Sequence, residues 1–528
     1  MNRFRTVWSP LWAPLAAGTP GTMPRMRVAF IAAECEPWAK TGGLGDVVDA
    51  LARALGAIPG DPEAPVEVFL PRYRGMVLPD GEHASTILRV PDPWLAGGVT
   101  DVRLMDVVSH GYRLRLIDHP PAFDRAGYYG DPGAGDYPDN AWRFGLFCRA
   151  ALEALRADGR PIDVIHAHDW HAAPAIILRD RFYRDDPVLG PAATLLTVHN
   201  LAYHGWTPRE RLAQLGLRRG DGFVAAGAAG IDLLGAGIER ADLVNTVSPG
   251  YAAEALTPAY GMGLDALLLR RTAEPTPDGT PPFFGILNGL DTVLWDPATD
   301  ADLAASYGAR AMASRALCRA DLLTRHGMDP DDPRPVLGMI GRLDPQKGFD
   351  LLTGAAPRLL KLGVRIIVQG SGDSRLAQPL RRLVARRPAS VALVERFDRA
   401  NARRIYAGVD CFVMPSRFEP CGLGQMIALR YGAPPIVRRT GGLGDTVIDE
   451  TDRPGEGTGF VFDEATPESL LAACIRAFAI RGADGSGAAW RAVVARGMAL
   501  DFSWESGSAP RYVAAYRRAI EFRRRNRI

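Results

Sequence analysis

Lysine is almost missing from this chain. Of 62 basic residues in 528, three are lysine (Lys40, Lys347 and Lys361) and the rest are arginine. An ammonium is a compact, mobile point charge and a guanidinium a planar fork. A lysine retained in so arginine-rich a chain therefore marks a place that needs the ammonium. Lys361 follows Arg358-Leu-Leu360 and reads as an ordinary exposed residue, whereas Lys40 and Lys347 stand in glycine-containing loops. Cysteine is also scarce. Cys35, Cys148, Cys318, Cys411, Cys421 and Cys474 are scattered without a CxxC pair, which excludes a short disulfide framework and fits a reducing cytoplasm. The formal charge of +2 gives no reason to invoke nucleic acid or an anionic membrane. Long apolar runs are lacking too. The stretch from Val7 to Ala17, behind Arg3 and Arg5, is broken by Pro10 and Pro14 and is too short to span a bilayer. Residues 1–25 therefore read as a disordered extension, or as the product of a start codon assigned too early.

What is present is alternation. A chain of this length calls for two domains of about 200–250 residues each. Apolar, β-rich runs alternate with helical stretches throughout, which is the pattern of parallel α/β architecture. In the first half strands are expected over 28–32, 66–69, 114–117, 164–166, 194–198 and 243–246, with helices such as 44–55 and 141–157 between them. Four prolines in the nine residues Glu274-Pro-Thr-Pro-Asp-Gly-Thr-Pro-Pro282 then impose a linker or surface loop. Strands resume at 284–287, 336–340, 366–369, 391–394, 411–414, 435–437 and 459–462. After Pro510, Tyr512, Val513, Tyr516 and Ile520 recur at helical spacing among arginines, so one face should pack and the other be solvated. The basic end, Arg523 to Arg527, reads as a solvated terminus.

Six letters occur twice. Thr41-Gly-Gly-Leu-Gly-Asp46 returns as Thr440-Gly-Gly-Leu-Gly-Asp445, each copy preceded by a cation, Lys40 or Arg439. Paired glycines let backbone N–H groups approach a ligand, and a helix starting behind them favours negative charge. The flanking strands differ, so one chemical need is met twice, as for a phosphorylated or sugar ligand held by two lobes. Neither copy fits GxxxxGK[ST] or GxGxxG, and no ATPase or NAD enzyme follows.

Other polar clusters fall at expected strand ends, where open parallel sheets bind ligands. His166-Ala-His-Asp-Trp-His171 lacks HExxH geometry and reads as a polar wall rather than a metal site, with Asp169 placed to grip sugar hydroxyls. His199, in Thr197-Val-His-Asn200, ends another strand. In Gly341-Arg-Leu-Asp-Pro-Gln-Lys-Gly348, Arg342 and Lys347 are fixed cations of the kind that neutralise a departing diphosphate; no convincing DxD metal motif is present. Glu419, in Ser416-Arg-Phe-Glu-Pro-Cys-Gly-Leu423, sits in a turn set by Pro420 and Gly422 and could stabilise positive charge at a sugar carbon. Cys421 reads equally as a small packing residue. Asn288 and Phe397 complete the set, the latter as a surface on which a flat base could stack.

Taken in order, Lys40-Thr-Gly-Gly-Leu-Gly-Asp46, His166-Ala-His-Asp-Trp170, Val198-His-Asn-Leu-Ala202, Asn288-Gly-Leu-Asp291, Gly341-Arg-Leu343 with Gln346-Lys-Gly348, Arg417-Phe-Glu-Pro-Cys-Gly-Leu423 and Thr440-Gly-Gly-Leu443 resemble the bacterial glycogen synthases and plant starch synthases. The resemblance runs from about Met26 to Tyr516. It implies an α/β chain with two Rossmann-like domains facing across a cleft (the GT-B arrangement) and a C-terminal helix crossing back to the first. The implied division is an acceptor-side domain over 26–280, a nucleotide-sugar domain over 281–508, and a terminal helix over 509–528. It implies a cytoplasmic enzyme without metal or cofactor that moves glucose from ADP-glucose to the non-reducing end of an α-1,4-glucan such as glycogen, retaining configuration. His199, Glu419, Arg342 and Lys347 are then the catalytic set. Lys40, Gly43, Asp169, Asn288, Phe397, Cys421, Gly422, Leu423, Thr440 and Gly441 join Arg342 and Lys347 in holding the donor.

Two positions depart from the family pattern. His204 stands where Gln is expected and Ile427 where Tyr is common, and both bear on acceptor fit. Three alternatives remain: a metal-independent GT-B enzyme using UDP-glucose or another acceptor, a silent glucan-binding protein, and a pyridoxal-phosphate phosphorylase. The intact polar set weighs against the second. Neither Lys40 nor Lys347 lies in a motif resembling a Schiff-base site, which weighs against the third.

Overall fold

In a computed structural model the chain forms two compact units, residues 1–289 with 504–528, and residues 290–503. The structure describes residues 26–58, 66–79, 83–108, 111–131, 135–218, 221, 230–274, 276, 278–482 and 487–526. The expected extension over 1–25 and Arg527 of the basic end lie outside them.

In the first unit the strands are β1 (Val28–Ile31), β2 (Glu67–Pro71), β3 (Ala84–Pro91), β4 (Val99–Val108), β5 (Arg113–Asp118), β6 (Val164–His168), β7 (Ala193–Val198), β8 (Thr207–Pro208), β9 (Gly230–Ile231), β10 (Leu243–Thr246) and β11 (Phe283–Gly285). Among the described residues nine of them form one sheet, in the order β11-β10-β7-β6-β1-β2-β5-β4-β3. All neighbours run parallel except around β4, which is antiparallel to β3 and β5. The expected strands are the apolar ones. β1, β2, β6 and β7 are buried at every residue, as strands covered on both faces are. The β3–β4 hairpin was not expected. Most of β3 is exposed, with only Leu88 and Val90 buried, so it offers no continuous apolar run.

Register decides what stands at the sheet's carboxyl edge. Ile31 pairs with Ala167, His168 with Thr197, and Thr246 with Val198, so the loops leaving β1, β6, β7 and β10 start level with one another. The strand after the proline-rich run pairs with β10 at the edge of this same sheet. That run is thus a loop inside the first unit, with Pro275 and Pro277 outside the described residues.

The final helix, Ala509–Arg525, belongs to this unit. Tyr512, Val513 and Tyr516 are buried, and Ile520 packs on the core. Its phenols reach polar side chains of the sheet. Thr197 Oγ1 donates to Asn245 Oδ1 at 2.7 Å, and Asn245 Nδ2 donates to Tyr512 at 3.3 Å. Thr197 therefore accepts from His166 Nε2 at 2.6 Å, which leaves His166 Nδ1 to accept the Tyr516 hydroxyl at 2.9 Å. The neutral Nε2–H tautomer of His166 follows from its neighbours.

In the second unit β12 (Val336–Ile340), β13 (Arg365–Gln369), β14 (Val391–Val394), β15 (Cys411–Met414), β16 (Pro435–Arg438) and β17 (Phe460–Phe462) form a parallel sheet ordered β14-β13-β12-β15-β16-β17. Read outward from β12 this is the doubly wound order 3-2-1-4-5-6, whose crossover reverses between β12 and β15. Ligands bind beyond the strand ends at such a reversal. The loops that leave there carry Arg342 and Lys347 after β12, and Glu419 after β15. Ile427, one of the two departures, is buried within this unit.

Candidate active site

The loop after β1 is organised by a residue that sequence reasoning passed over. Glu34 is 3% exposed. One of its oxygens accepts the hydroxyls of Thr41 and Tyr129, both at 2.6 Å. The other accepts the N–H groups of Thr41 at 2.6 Å and Gly42 at 3.1 Å. The diglycine turn is thereby fixed, and a helix of 14 residues, Gly43–Gly56, starts from it. A Cβ built on Gly42 or Gly43 would meet no atom within 4 Å. Both glycines therefore border open space at the positive end of a helix. Lys40 Nζ lies 2.5 Å from Asp46 and 3.3 Å from Glu36. Burial works against its charge, but Asp46 and Glu36 hold its pKa above the usual value.

At the ends of β6 and β7 the histidines and Asp169 meet. Asp169 adopts φ 58°, a left-handed conformation that is uncommon outside glycine and is found where structure over-determines it. The turn brings its carboxylate to accept the His199 N–H at 2.6 Å. Burial pushes the Asp169 carboxyl up to about 7, against the backbone donors of His199 and Asn200. His168 Nδ1 and His199 Nε2 lie 3.1 Å apart. Burial lowers His199 to about 3 and His168 well below its usual range, so both rings are neutral at pH 7 and share one proton in their contact. His199 thus offers the site a hydrogen bond rather than a charge. Asn288 is buried, and its side-chain oxygen has no partner among the described residues. A buried acceptor left open is unfavourable by about 1–3 kcal/mol, and a sugar hydroxyl would satisfy it.

The second unit brings three sequence motifs together. Lys347 Nζ donates to Glu419 Oε2 at 2.7 Å, and Ser416 Oγ donates to the same oxygen at 2.9 Å. The loops carrying them are tied twice, Gln346 Nε2 to the Phe418 carbonyl at 3.0 Å and the Arg417 N–H to the Gln346 carbonyl at 2.8 Å. Gly348, at φ 72°, lies so close to Pro415 that a Cβ would sit 2.1 Å from its carbonyl oxygen. The third motif joins through the Gly442 N–H, which donates to the Glu419 carbonyl at 3.1 Å. Cys421 is buried, Gly422 turns at φ 76°, and Leu423 is half-buried. Arg342 is exposed at the end of β12. Phe397 is 81% exposed, just before Asp398, which caps the following helix through the Asn401 N–H.

The two copies of the repeated hexapeptide are packed differently. The paired glycines of the first copy, Gly42 and Gly43, face open space. In the second, a Cβ on Gly441 would lie 2.1 Å from the Glu419 oxygen and one on Gly442 2.3 Å from the Cys421 oxygen. There the glycines let Thr440 and Gly441 lie against the Glu419 loop. The preceding cations differ as well. Lys40 pairs with Asp46 inside its own motif, whereas Arg439 pairs with Asp463 and Asp452. Besides Glu34, sequence reasoning gave no role to Ser416, although it opens the motif that carries Glu419. Among the described residues, no group of three or more His, Cys, Asp or Glu side chains is arranged to hold a metal ion, and no helix is long and apolar enough to cross a membrane.

Comparison with known proteins agrees with this layout. Residues 27–270 match the starch synthase catalytic domain, and residues 334–479 match glycosyl transferases group 1. A glycogen synthase of Geotalea uraniireducens is 40% identical over 501 residues, covering 94% of this chain and 99% of the relative. One from Anaeromyxobacter dehalogenans is 42% identical over 496 residues, covering 93% and 99%. Among solved structures, the catalytic domain of starch synthase IV from Arabidopsis thaliana, bound to ADP and acarbose, superposes with a TM-score of 0.84 at 33% identity and covers 94% of this chain and 99% of its own. The sucrose-phosphate synthase of Thermosynechococcus elongatus shares the fold at a TM-score of 0.57 and 21% identity, covering 93% and 98%. With its sheets, its strand-end motifs and its near full-length relatives in agreement, the chain belongs to the glycogen synthase and starch synthase family of glucosyltransferases.

Proposed function

We propose that this chain transfers glucose from ADP-glucose to the 4-hydroxyl at the non-reducing end of an α-1,4-glucan such as glycogen, with retention of configuration and release of ADP. The observation that carries this reading is the Lys347–Glu419 contact at 2.7 Å, set beyond the strand ends at the crossover reversal of the second sheet. As the C1–O bond to the diphosphate breaks, negative charge grows on the leaving group and positive charge at C1. Lys347 and Arg342 answer the first and Glu419 the second, and fixed groups of this kind need no reorganisation during the reaction. The acceptor oxygen bonds to C1 on the face the diphosphate leaves, and its proton passes to the departing phosphate oxygen.

The remaining residues position the donor. Lys40, and the backbone at Gly43, take the phosphates. Asp169, Asn288 and the backbone near neutral His199 hold glucose hydroxyls. Cys421, Gly422, Leu423, Thr440 and Gly441 frame the donor, and Phe397 stacks on adenine. The second unit then carries the nucleotide end of the donor, and the first unit adds the acceptor to its contacts with the donor's phosphates and glucose. The ADP and acarbose bound to the plant relative support a nucleotide-sugar donor and a glucan acceptor.

The test is ADP release from ADP-glucose with and without glycogen, in EDTA, with UDP-glucose in parallel. Glycogen-dependent release from ADP-glucose alone is expected. Release from UDP-glucose instead changes the donor and keeps the chemistry; release from neither, with glycogen still bound, leaves a silent glucan-binding protein.

A further inference from the structure

The loop that leaves β7 after His199 carries two aromatic side chains that the chemistry above does not use. Tyr203 and Trp206 are 48% and 50% exposed, although Leu201, His204 and Thr207 around them are buried. Trp206 is not loosely held. Its ring lies face to face on the imidazole of His204, with centroids 5.1 Å apart and 21° between the planes. His204 is in turn anchored from below. Its Nδ1 lies 2.6 Å from Oδ2 of Asp232, which is fully buried, and the other oxygen of Asp232 accepts the Gly235 N–H at 2.8 Å. The His204 carbonyl accepts the Leu234 N–H at 3.0 Å. Next to it Gly205 turns at φ 67°, so close to Trp170 that a Cβ would lie 2.3 Å from the indole ring. Thr207 then pairs with Ile231 across β8 and β9.

The backbone is thus pinned at 204, 205 and 207, while the ring at 206 is supported on one face and meets solvent. The buried histidine–aspartate pair thus fixes the angle of a ring that leaves half its surface to solvent. A rigid aromatic face offers apolar area at small entropic loss, and the C–H face of a pyranose is the matching surface. A glucan presents that surface at every unit. We propose that Trp206, with Tyr203 on the same loop, is a stacking platform for the incoming α-1,4-glucan, and that His204 and Asp232 are positioning residues that set the angle of its ring. The proposal rests on the glucan-acceptor reading above and adds the residues that grip the chain next to His199. It also gives the His204 departure a purpose, since imidazole supplies a flat base for the indole.

The experiment compares Trp206→Ala and Trp206→Phe with the unaltered enzyme, using maltoheptaose as acceptor. Trp206→Ala should raise the KM for maltoheptaose about tenfold, an increment in line with a lost aromatic contact, while the KM for ADP-glucose stays within twofold. Trp206→Phe should recover most of the loss. His204→Ala should reproduce part of the effect on maltoheptaose and none on ADP-glucose. Separately, maltoheptaose should change tryptophan emission in the unaltered protein and do so less in Trp206→Phe, a readout that needs no turnover. If that emission change persists while no donor yields ADP, the proposed reaction falls and the platform stands. An unchanged maltoheptaose KM in Trp206→Ala overturns the platform, as does an equal rise for both substrates, which would mark Trp206 as a structural prop or a contact for another protein.

Discussion

At Lys347 the difference between an ammonium and a guanidinium becomes a difference in chemistry. The Nζ meets a single carboxylate oxygen at 2.7 Å in a site where Glu419 is 5% exposed. A planar fork cannot take that one-point geometry without moving the carboxylate. Lys347→Arg should therefore fold normally and lose at least about tenfold in turnover, whereas Lys347→Ala and Glu419→Ala should each lose about 10²–10³-fold, the range for removing one preorganised charge-stabilising group. Steady-state ADP release checks this, with circular dichroism confirming the fold. Full activity in Lys347→Arg would mean that the charge matters and its shape does not. The scarcity of lysine made Lys40 and Lys347 visible from composition alone. Glu34 was not visible, because a glutamate near a strand end has no distinguishing neighbour until the loop folds back and brings Thr41, Gly42 and Tyr129 to it.

Among the elements, the repeated hexapeptide shows that identical letters need not have identical reasons. Gly42 stands at φ −151°, an extended conformation open to any residue, and its missing Cβ faces open space. Gly42→Ala should leave the melting temperature nearly unchanged and raise the KM for ADP-glucose. At the matching letter, Gly441→Ala drives a methyl to 2.1 Å from the Glu419 carbonyl oxygen. It should destabilise by about 1–3 kcal/mol, the usual range for overpacking, and disturb the Glu419 loop. Denaturant titration and donor kinetics on both variants separate the cases; equal behaviour would show that the two loops share one role after all. Nothing in the hexapeptide itself predicts this split. It comes from what each glycine pair faces, open space for Gly42 and Gly43 and residues 419–421 for Gly441 and Gly442.

Over the molecule as a whole, the buried histidines make stability depend on pH. Burial lowers His199 to about 3, and burial with the Arg143 guanidinium does the same to His171. His166 and His168 lie well below the ordinary value of 6.5 for the same main reason. The unfolded chain takes up protons below 6.5 that the folded chain refuses, so this contribution is fully present above pH 6.5 and falls as the pH drops towards 3. Asp169 works the other way. With its folded value raised to about 7 from 3.8, its contribution is fully present below 3.8 and lost as the pH rises through 7. Four histidines outweigh one aspartate. Stability should therefore fall from pH 6.5 to 4, by roughly 1.4 kcal/mol per pH unit for each proton left unmatched. Urea midpoints measured across that range test it, and His171→Gln should make the slope shallower by about one proton. A midpoint independent of pH would mean that these rings are solvated.

Some of this architecture was determined by the sequence on its own. β10, β12, β14 and β15 coincide with the expected spans, and β1 and β7 agree to within a residue, because a strand packed into a sheet is largely an apolar run that glycine, proline or a polar residue ends. The polar letters that begin where such a run stops, as at His199, Arg342 and Asp169, stand at the sheet's carboxyl edge for the same reason. The spacing of Tyr512, Val513 and Tyr516 determined a helix with one buried face. What that face meets was decided only by tertiary structure, which carries the Tyr516 hydroxyl to His166, 350 residues away in sequence. Strand order, the β3–β4 hairpin, the left-handed turn at Asp169 and the support of Trp206 by His204 and Asp232 were decided in the same way. Periodicity records which side of an element avoids water. It carries no record of which distant element will cover that side, since pairing and register are settled by contacts between segments that are strangers in sequence.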